Sequence, residues 1–260
     1  MKAIFLGCTK FSEEILRHLL SMENLEIIAI FSIPENFDIS YSEKKVNNSN
    51  YADLSGYAKR AGIDYFLINS SKGDRITDYR SQISKYNADV MLVMGWYYMI
   101  PESVRSLIKN GAWGIHASLL PKYAGGAPLV WAIIEGEKES GVTLFRFEDG
   151  VDDGDIIKQR KFTIEPTDTI REVYDKATVA SKSILTEIVT SGQFQFTPQN
   201  KTEIMVYPQR SPKDGEIDWG WSSVRINDFI RAQTRPYPGA WTIINNKKVT
   251  IWDASIQDSR

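Results

Sequence analysis

Cysteine, histidine and long apolar runs are what this 260-residue chain has least of, and each scarcity narrows its chemistry. A single cysteine, Cys8, excludes an internal disulfide and makes a thiolate zinc site a poor expectation. No stretch approaches the roughly eighteen apolar residues of a membrane span. The apolar part of residues 1–7 is too short for a secretion signal, so a soluble, cytoplasmic protein is expected. An excess of one charge is missing as well: 31 Lys and Arg face 33 Asp and Glu, and a net charge of −2 offers no basic field to gather nucleic acid. The first turn, Gly7-Cys8-Thr9, does not spell Gly-x-Gly-x-x-Gly, which disfavours a nicotinamide cofactor.

What is present suits a globular fold: 42% apolar and 25% charged residues, over a length that holds one large domain and a small one. Residues 3–6 read as a buried strand, and 11–20 as a helix with apolar positions at Phe11, Ile15, Leu16, Leu19 and Leu20. Residues 25–33 and 89–94 are continuous apolar strands, the pattern of a strand covered on both faces, and 65–68 is a shorter one. Residues 51–61 and 75–85 read as helices, and the Asn- and Ser-rich stretch 34–50 as a mobile loop. This alternation predicts an α/β fold, an open and mostly parallel Rossmann-like sheet with helices on both faces. Ligands in such sheets sit beyond the carboxyl ends of the strands. Residues 156–164 predict another strand, and 169–190 a helix started at Thr167-Asp168-Thr169. From about 191 the chain changes to short strands and prolines, one helix over 222–233, and a hairpin of 241–244 with 248–252 across Asn245-Asn246-Lys247. The expected domains are 1–190, carrying the site, and a small β-rich C-terminal unit, 191–260.

Two histidines leave few places for proton exchange near neutral pH. His18 falls on the first helix, where no role is expected. His116 stands in Gly114-Ile115-His116-Ala117-Ser118-Leu119-Leu120-Pro121, continued by Lys122-Tyr123-Ala124-Gly125-Gly126-Ala127-Pro128. An acidic turn follows at Asp149-Gly150-Val151-Asp152-Asp153-Gly154-Asp155. One imidazole and one carboxylate cluster on loops after apolar strands make a proton-transfer site. A lone histidine is a poor ligand set, and the acidic turn lacks the EF-hand layout, so no metal is expected. Gly125-Gly126, without a following Lys-Ser/Thr, reads as a tight turn into a helix over 128–134 rather than a phosphate cradle.

These segments resemble the formyltransferase family that uses 10-formyltetrahydrofolate. The resemblance runs through residues 116–123, 128–137, and from Gly141-Val142-Thr143-Leu144 to Gly154-Asp155-Ile156-Ile157, and covers most of 1–190. In the tail, residues 208–219 and 230–240 resemble family members that formylate amino sugars. The resemblance implies His116 and Asp152 as catalytic residues. It implies a pterin wall of Met94, Gly95, Trp96 and Tyr97 facing Asp149, Gly150 and Val151. Ser118, Lys122, Tyr123, Arg231 and Tyr237 are the expected substrate contacts, while Trp219 and Arg235 read as structural. The implied donor is 10-formyltetrahydrofolate and the implied acceptor a nucleotide-linked amino sugar of surface-glycan biosynthesis, with no membrane or nucleic-acid partner. The apolar, aromatic tail is where two copies of the chain would pair.

The sequence departs from the family pattern at two places. Gly114 stands where the family has an Asn thought to bond the formyl oxygen, and Ala124 where it has an Arg. Asp153 takes the Thr position beside Asp152. Losing one oxyanion donor typically lowers a rate by about 10²–10³. Two alternatives therefore stand beside the leading reading: a methionyl-tRNA formyltransferase, and a non-catalytic folate- or sugar-nucleotide-binding relative.

Overall fold

The computed structural model describes residues 1–38 and 45–257. Ala3 to Leu6 are all fully buried in β1 (Lys2–Leu6), because both faces of the strand are covered. Ala3 and Phe5 face a core shared with Leu16, Ile184 and Leu185, whereas Ile4 and Leu6 face one shared with Ile83 and Val104. That is the alternation of a strand sandwiched between helical layers.

Along the chain, β1 leads to α1 (Lys10–Leu19), β2 (Glu26–Ser32) and the two-residue strands β3 (Asn36–Phe37) and β4 (Val46–Asn47). Then come α2 (Ser55–Ala61), β5 (Asp64–Leu67), α3 (Arg80–Lys85), β6 (Val90–Val93), α4 (Glu102–Arg105) and β7 (Ala112–His116). After β8 (Ala124–Gly125) and α5 (Pro128–Ile134), β9 (Glu139–Arg146) and β10 (Ile156–Thr163) form a hairpin, and α6 (Ile170–Ser191) closes the sheet. The C-terminal region holds β11 (Val206–Tyr207), α7 (Ser223–Gln233), β12 (Ala240–Ile244) and β13 (Lys247–Ile251).

Seven strands form one sheet in the order β10-β9-β7-β6-β1-β2-β5. The five from β5 to β7 run parallel, β9 runs against them, and β10 pairs antiparallel with β9. The order reverses between β1 and β6, the crevice where open α/β sheets bind ligands. Gly7 after β1, Met94 after β6 and His116 at the end of β7 all come out along that edge. β12 and β13 pair as a separate antiparallel ribbon.

Several sequence expectations shift. The stretch 34–50 contains the paired strands β3 and β4, with Asn47 Nδ2 donating to Asn36 Oδ1 at 2.9 Å; its residues 39–44 lie outside the described ones. The helix expected over 51–61 starts only at Ser55, because Tyr51 is drawn into a bridge with Thr9. Residues 76–79 form a 3₁₀ turn ahead of α3. Thr169 caps α6 instead of belonging to it. The C-terminal hairpin turns on two residues, since Lys247 already pairs with Ile244, and Asn245 and Asn246 both take positive φ, the signature of a type I′ turn.

Candidate active site

β7 delivers His116 to the carboxyl edge of the sheet, opposite Thr143 of β9. The loop beyond it is stitched down by polar contacts. The Thr143 hydroxyl donates to the Ser118 carbonyl at 2.7 Å and accepts from Leu120 N–H at 3.1 Å. Gln159 Nε2 donates to the Leu120 carbonyl at 2.8 Å, and Ser118 Oγ donates to the Lys122 carbonyl at 2.6 Å. Tyr123 then takes a left-handed backbone, φ 55°, which turns its carbonyl back onto His116 Nε2 at 2.7 Å.

A carbonyl only accepts, so Nε2 carries a proton and Nδ1 is the ring nitrogen left to exchange one. Nδ1 faces Asp152 Oδ2 at 3.3 Å. The same carboxylate oxygen accepts Gly125 N–H at 2.8 Å. Asp152 itself has φ 51°, in the left-handed region that a non-glycine residue enters only when its surroundings hold it there. The structure thus brings together the two residues expected to react.

Around them the acidic turn is anchored on several sides. Arg105, 8% exposed along its side chain, donates to the Ile100 carbonyl at 2.8 Å and pairs with Asp149 at 2.6 Å, tying the turn to the segment after β6. Arg146 pairs with Asp155 at 2.9 Å, and Lys201 with Asp153 at 3.1 Å. Val151 is exposed, and a Cβ on Gly150 would lie 2.4 Å from the Asp153 carboxylate, so the turn admits no side chain there.

Gly114 has an explanation in packing. A Cβ built on it would lie 2.2 Å from Phe147 Cε1 and 2.7 Å from Cζ. The ring of Phe147 occupies the space that a side chain at 114 would need. Ala124, at the other departure, is fully buried with Leu120 and Phe145.

The expected pterin wall needs correction at Met94. Met94 is fully buried, its N–H bonded to the Leu6 carbonyl at 2.8 Å and its carbonyl taken by the Ser12 hydroxyl. At Gly95, φ 68°, a Cβ would lie 2.2 Å from Thr9 Oγ1, and its carbonyl accepts Cys8 N–H at 3.2 Å, so its backbone is tied to the turn after β1. These two residues build the junction between the first and fourth parallel turns. Trp96 and Tyr97 beyond them are half-buried. Trp96 stands edge-on to Tyr98 with centroids 5.7 Å apart, and its Nε1–H is buried with no partner among the described residues.

The expected substrate contacts scatter. Lys122 is exposed beside the His116 loop. Ser118 is buried and spent on the loop itself, while Tyr123 turns its hydroxyl to Glu135 at 2.7 Å and Glu137 at 3.0 Å. Burial first, then those carboxylates, push its phenol well above the ordinary range. Arg231 pairs with Asp228 at 2.8 Å and donates to the Asp168 carbonyl at 2.7 Å. Tyr237 shares a hydrogen bond with Tyr174 of α6. Arg231 therefore ties α7 to the segment just before α6 and Tyr237 ties the following loop to α6, and among the described residues neither forms a hydrogen bond with His116. Gly125 and Gly126 are filled by protein: Cβ atoms on them would meet the Tyr207 carbonyl at 2.5 Å and Gln209 Cα at 2.4 Å.

Comparison with known proteins follows the same lines. The formyl transferase profile matches residues 1–189, and the formyl transferase C-terminal domain profile matches residues 210–260. A methionyl-tRNA formyltransferase of Agathobacter rectalis is 29% identical over 261 residues, spanning 99% of this chain and 81% of that one. The fold is similar to that of a 4-N formyltransferase from Francisella tularensis, with a TM-score of 0.71 and 18% identity over 98% of both chains. It is also similar to an N-formyltransferase from Helicobacter canadensis in complex with folinic acid and dTDP-3-aminofucose, with a TM-score of 0.68 and 20% identity over 96% of this chain and 86% of that one.

Proposed function

The chain belongs to the formyl transferase family, and from that premise we propose that it moves a formyl group from 10-formyltetrahydrofolate to the amine of a nucleotide-linked amino sugar, in surface-glycan biosynthesis. The carrying observation is the 3.3 Å approach of Asp152 to His116 Nδ1 at the carboxyl edge of the parallel strands. Similarity to a protein seen with folinic acid and dTDP-3-aminofucose supports the two substrates.

The residues present suit a folate. Trp96 and Tyr97, half-buried at the carboxyl edge of the sheet, offer ring surface. Asp149, Gly150 and Val151 face outward on the turn that Arg105 holds. Lys122 is the cation nearest in sequence to His116 for a diphosphate.

The donor supplies an activated one-carbon unit. The acceptor nitrogen bonds to the formyl carbon, the bond from that carbon to the folate nitrogen breaks, and the amine's proton passes to the departing nitrogen. In this reading His116 Nδ1 takes that proton and returns it, with Tyr123 fixing the ring and Asp152 stabilising its charged form. Residues 1–190 hold the reacting pair and the donor, and the exposed apolar side chains of the tail, Trp219, Ile243 and Ile244 among them, form the surface for a second copy.

The test is a formylation assay with 10-formyltetrahydrofolate against dTDP- and UDP-linked amino sugars and against methionyl-tRNA. We expect product with an amino sugar, and rates about 10²–10⁴-fold lower in His116→Ala and Asp152→Asn. Near-normal rates in either variant defeat the pair. Product with methionyl-tRNA alone replaces the acceptor by the one named for the Agathobacter rectalis relative. Folate binding without product from any acceptor makes the chain a binding protein.

A further inference from the structure

The stretch from 197 to 209 lies between the two family matches, which end at 189 and resume at 210. It is nevertheless built into the back of the reacting pair. Thr197 and Ile156 exchange backbone hydrogen bonds at 2.8 Å each. Gln199, 9% exposed, points its Nε2 at two carbonyls of the acidic turn, Asp152 at 2.8 Å and Gly154 at 2.6 Å. Further on, β11 lies parallel to β8, and the Tyr207 carbonyl accepts Gly126 N–H at 2.8 Å. β8 is the strand whose Gly125 N–H bonds the Asp152 carboxylate. One segment therefore grips Asp152 by its own carbonyl and also holds the donor to its side chain.

The orientation of the Gln199 amide follows from its partners. Reversed, its oxygen would face two carbonyl oxygens, all three of them acceptors. As placed, Nε2 spends both hydrogens on the turn, and Oε1 is left buried with no partner among the described residues. An unbonded buried acceptor costs stability. What the arrangement secures is the left-handed backbone of Asp152, and hence the direction in which its carboxylate leaves the chain.

We propose that Gln199 is a positioning residue for the reacting pair: by holding the carbonyls on both sides of Asp153 it sets the Asp152 carboxylate against His116 Nδ1. This rests on reading His116 and Asp152 as that pair. Gln199→Met keeps the length of the side chain but cannot donate. Gln199→Asn keeps a donor but is one methylene too short to span both carbonyls, and it preserves the test should the first variant fail to fold.

The measurement is the ¹⁵N signature of the His116 ring in the full chain carrying His18→Gln, which leaves one imidazole to observe. Asp152→Asn sets the scale of the change. Both Gln199 variants are expected to reproduce the larger part of it, with thermal midpoints near that of the parent. With 10-formyltetrahydrofolate and the acceptor that yields product, kcat should fall about 10–100-fold while the donor KM stays within about twofold, the mark of misplaced reacting groups. Gln199 variants that leave the ring unmoved where Asp152→Asn moves it overturn the positioning role alone. A ring indifferent to Asp152→Asn overturns both this role and the reacting pair. Ring changes in the Gln199 variants, in a protein that formylates none of the acceptors, support the positioning and remove only the substrate assignment.

Discussion

At the scale of single residues, Gly114 and Phe147 act as one unit. As the ring stands, it lies 2.2 Å from where a Cβ at 114 would be, so any side chain there displaces it. Gly114→Asn should therefore not rescue a missing donor; it should force the ring aside and cost about 1–3 kcal/mol, as overpacking does. Gly114→Asn with Phe147→Ala should cost less than the sum of the two single changes, by about 0.5–3 kcal/mol in a urea double-mutant cycle. Additive costs would mean that the two positions do not share this space. Trp96→Ala removes the ring surface proposed for the pterin, so it should weaken folate binding several-fold in a fluorescence titration; unchanged affinity would remove Trp96 from the proposed folate site. Cys8 is fully buried, and that burial pushes its thiol from 9.0 up to about 12. Iodoacetamide should label it at pH 8 only after denaturation. Below pH 9 both states keep the proton; between pH 9 and about 12 only the folded state does, so this group's contribution to stability falls as the pH rises through that window.

At the scale of elements, the best-capped helix is α6, 22 residues and about 33 Å long. Thr169 Oγ1 accepts Arg171 N–H at 3.2 Å and Glu172 returns a bond to Thr169 N–H at 2.8 Å, so Thr169→Ala should cost about 1 kcal/mol in a urea titration. That cap was legible in Thr167-Asp168-Thr169, as the inner strands were in apolar runs forced by burial on both faces. His116 stood out because imidazoles are rare here, and Asp152 was singled out as its partner by the resemblance to the formyltransferase family. Other features left no trace in side-chain pattern. β8 and β11 are two residues each and held by backbone bonds, and Gln199 lies in a polar stretch without periodicity. The pairing of Arg105 with Asp149 spans 44 positions and leaves no local sign in the sequence. Arg231 and Tyr237 were expected to touch substrate, yet Asp168 ahead of α6 and Tyr174 on it hold them, partners that no local pattern reveals.

At the scale of the whole molecule, the two candidate acceptors differ in how many charges they bring, and salt distinguishes them. A protein making six to ten contacts to nucleic-acid phosphates loses about 10³–10⁵ in affinity between 50 and 200 mM salt. An amino sugar on a diphosphate should instead give a kcat/KM that falls only a few-fold over the same range; a steep loss would favour a tRNA. The path of the chain has one more result. The acid's neighbours, Gln199 and Tyr207, are placed some fifty residues later in the sequence than the acid itself. On the proposed roles of His116 and Asp152, the pair would gain its full support only once residues 199 to 207 have joined the chain.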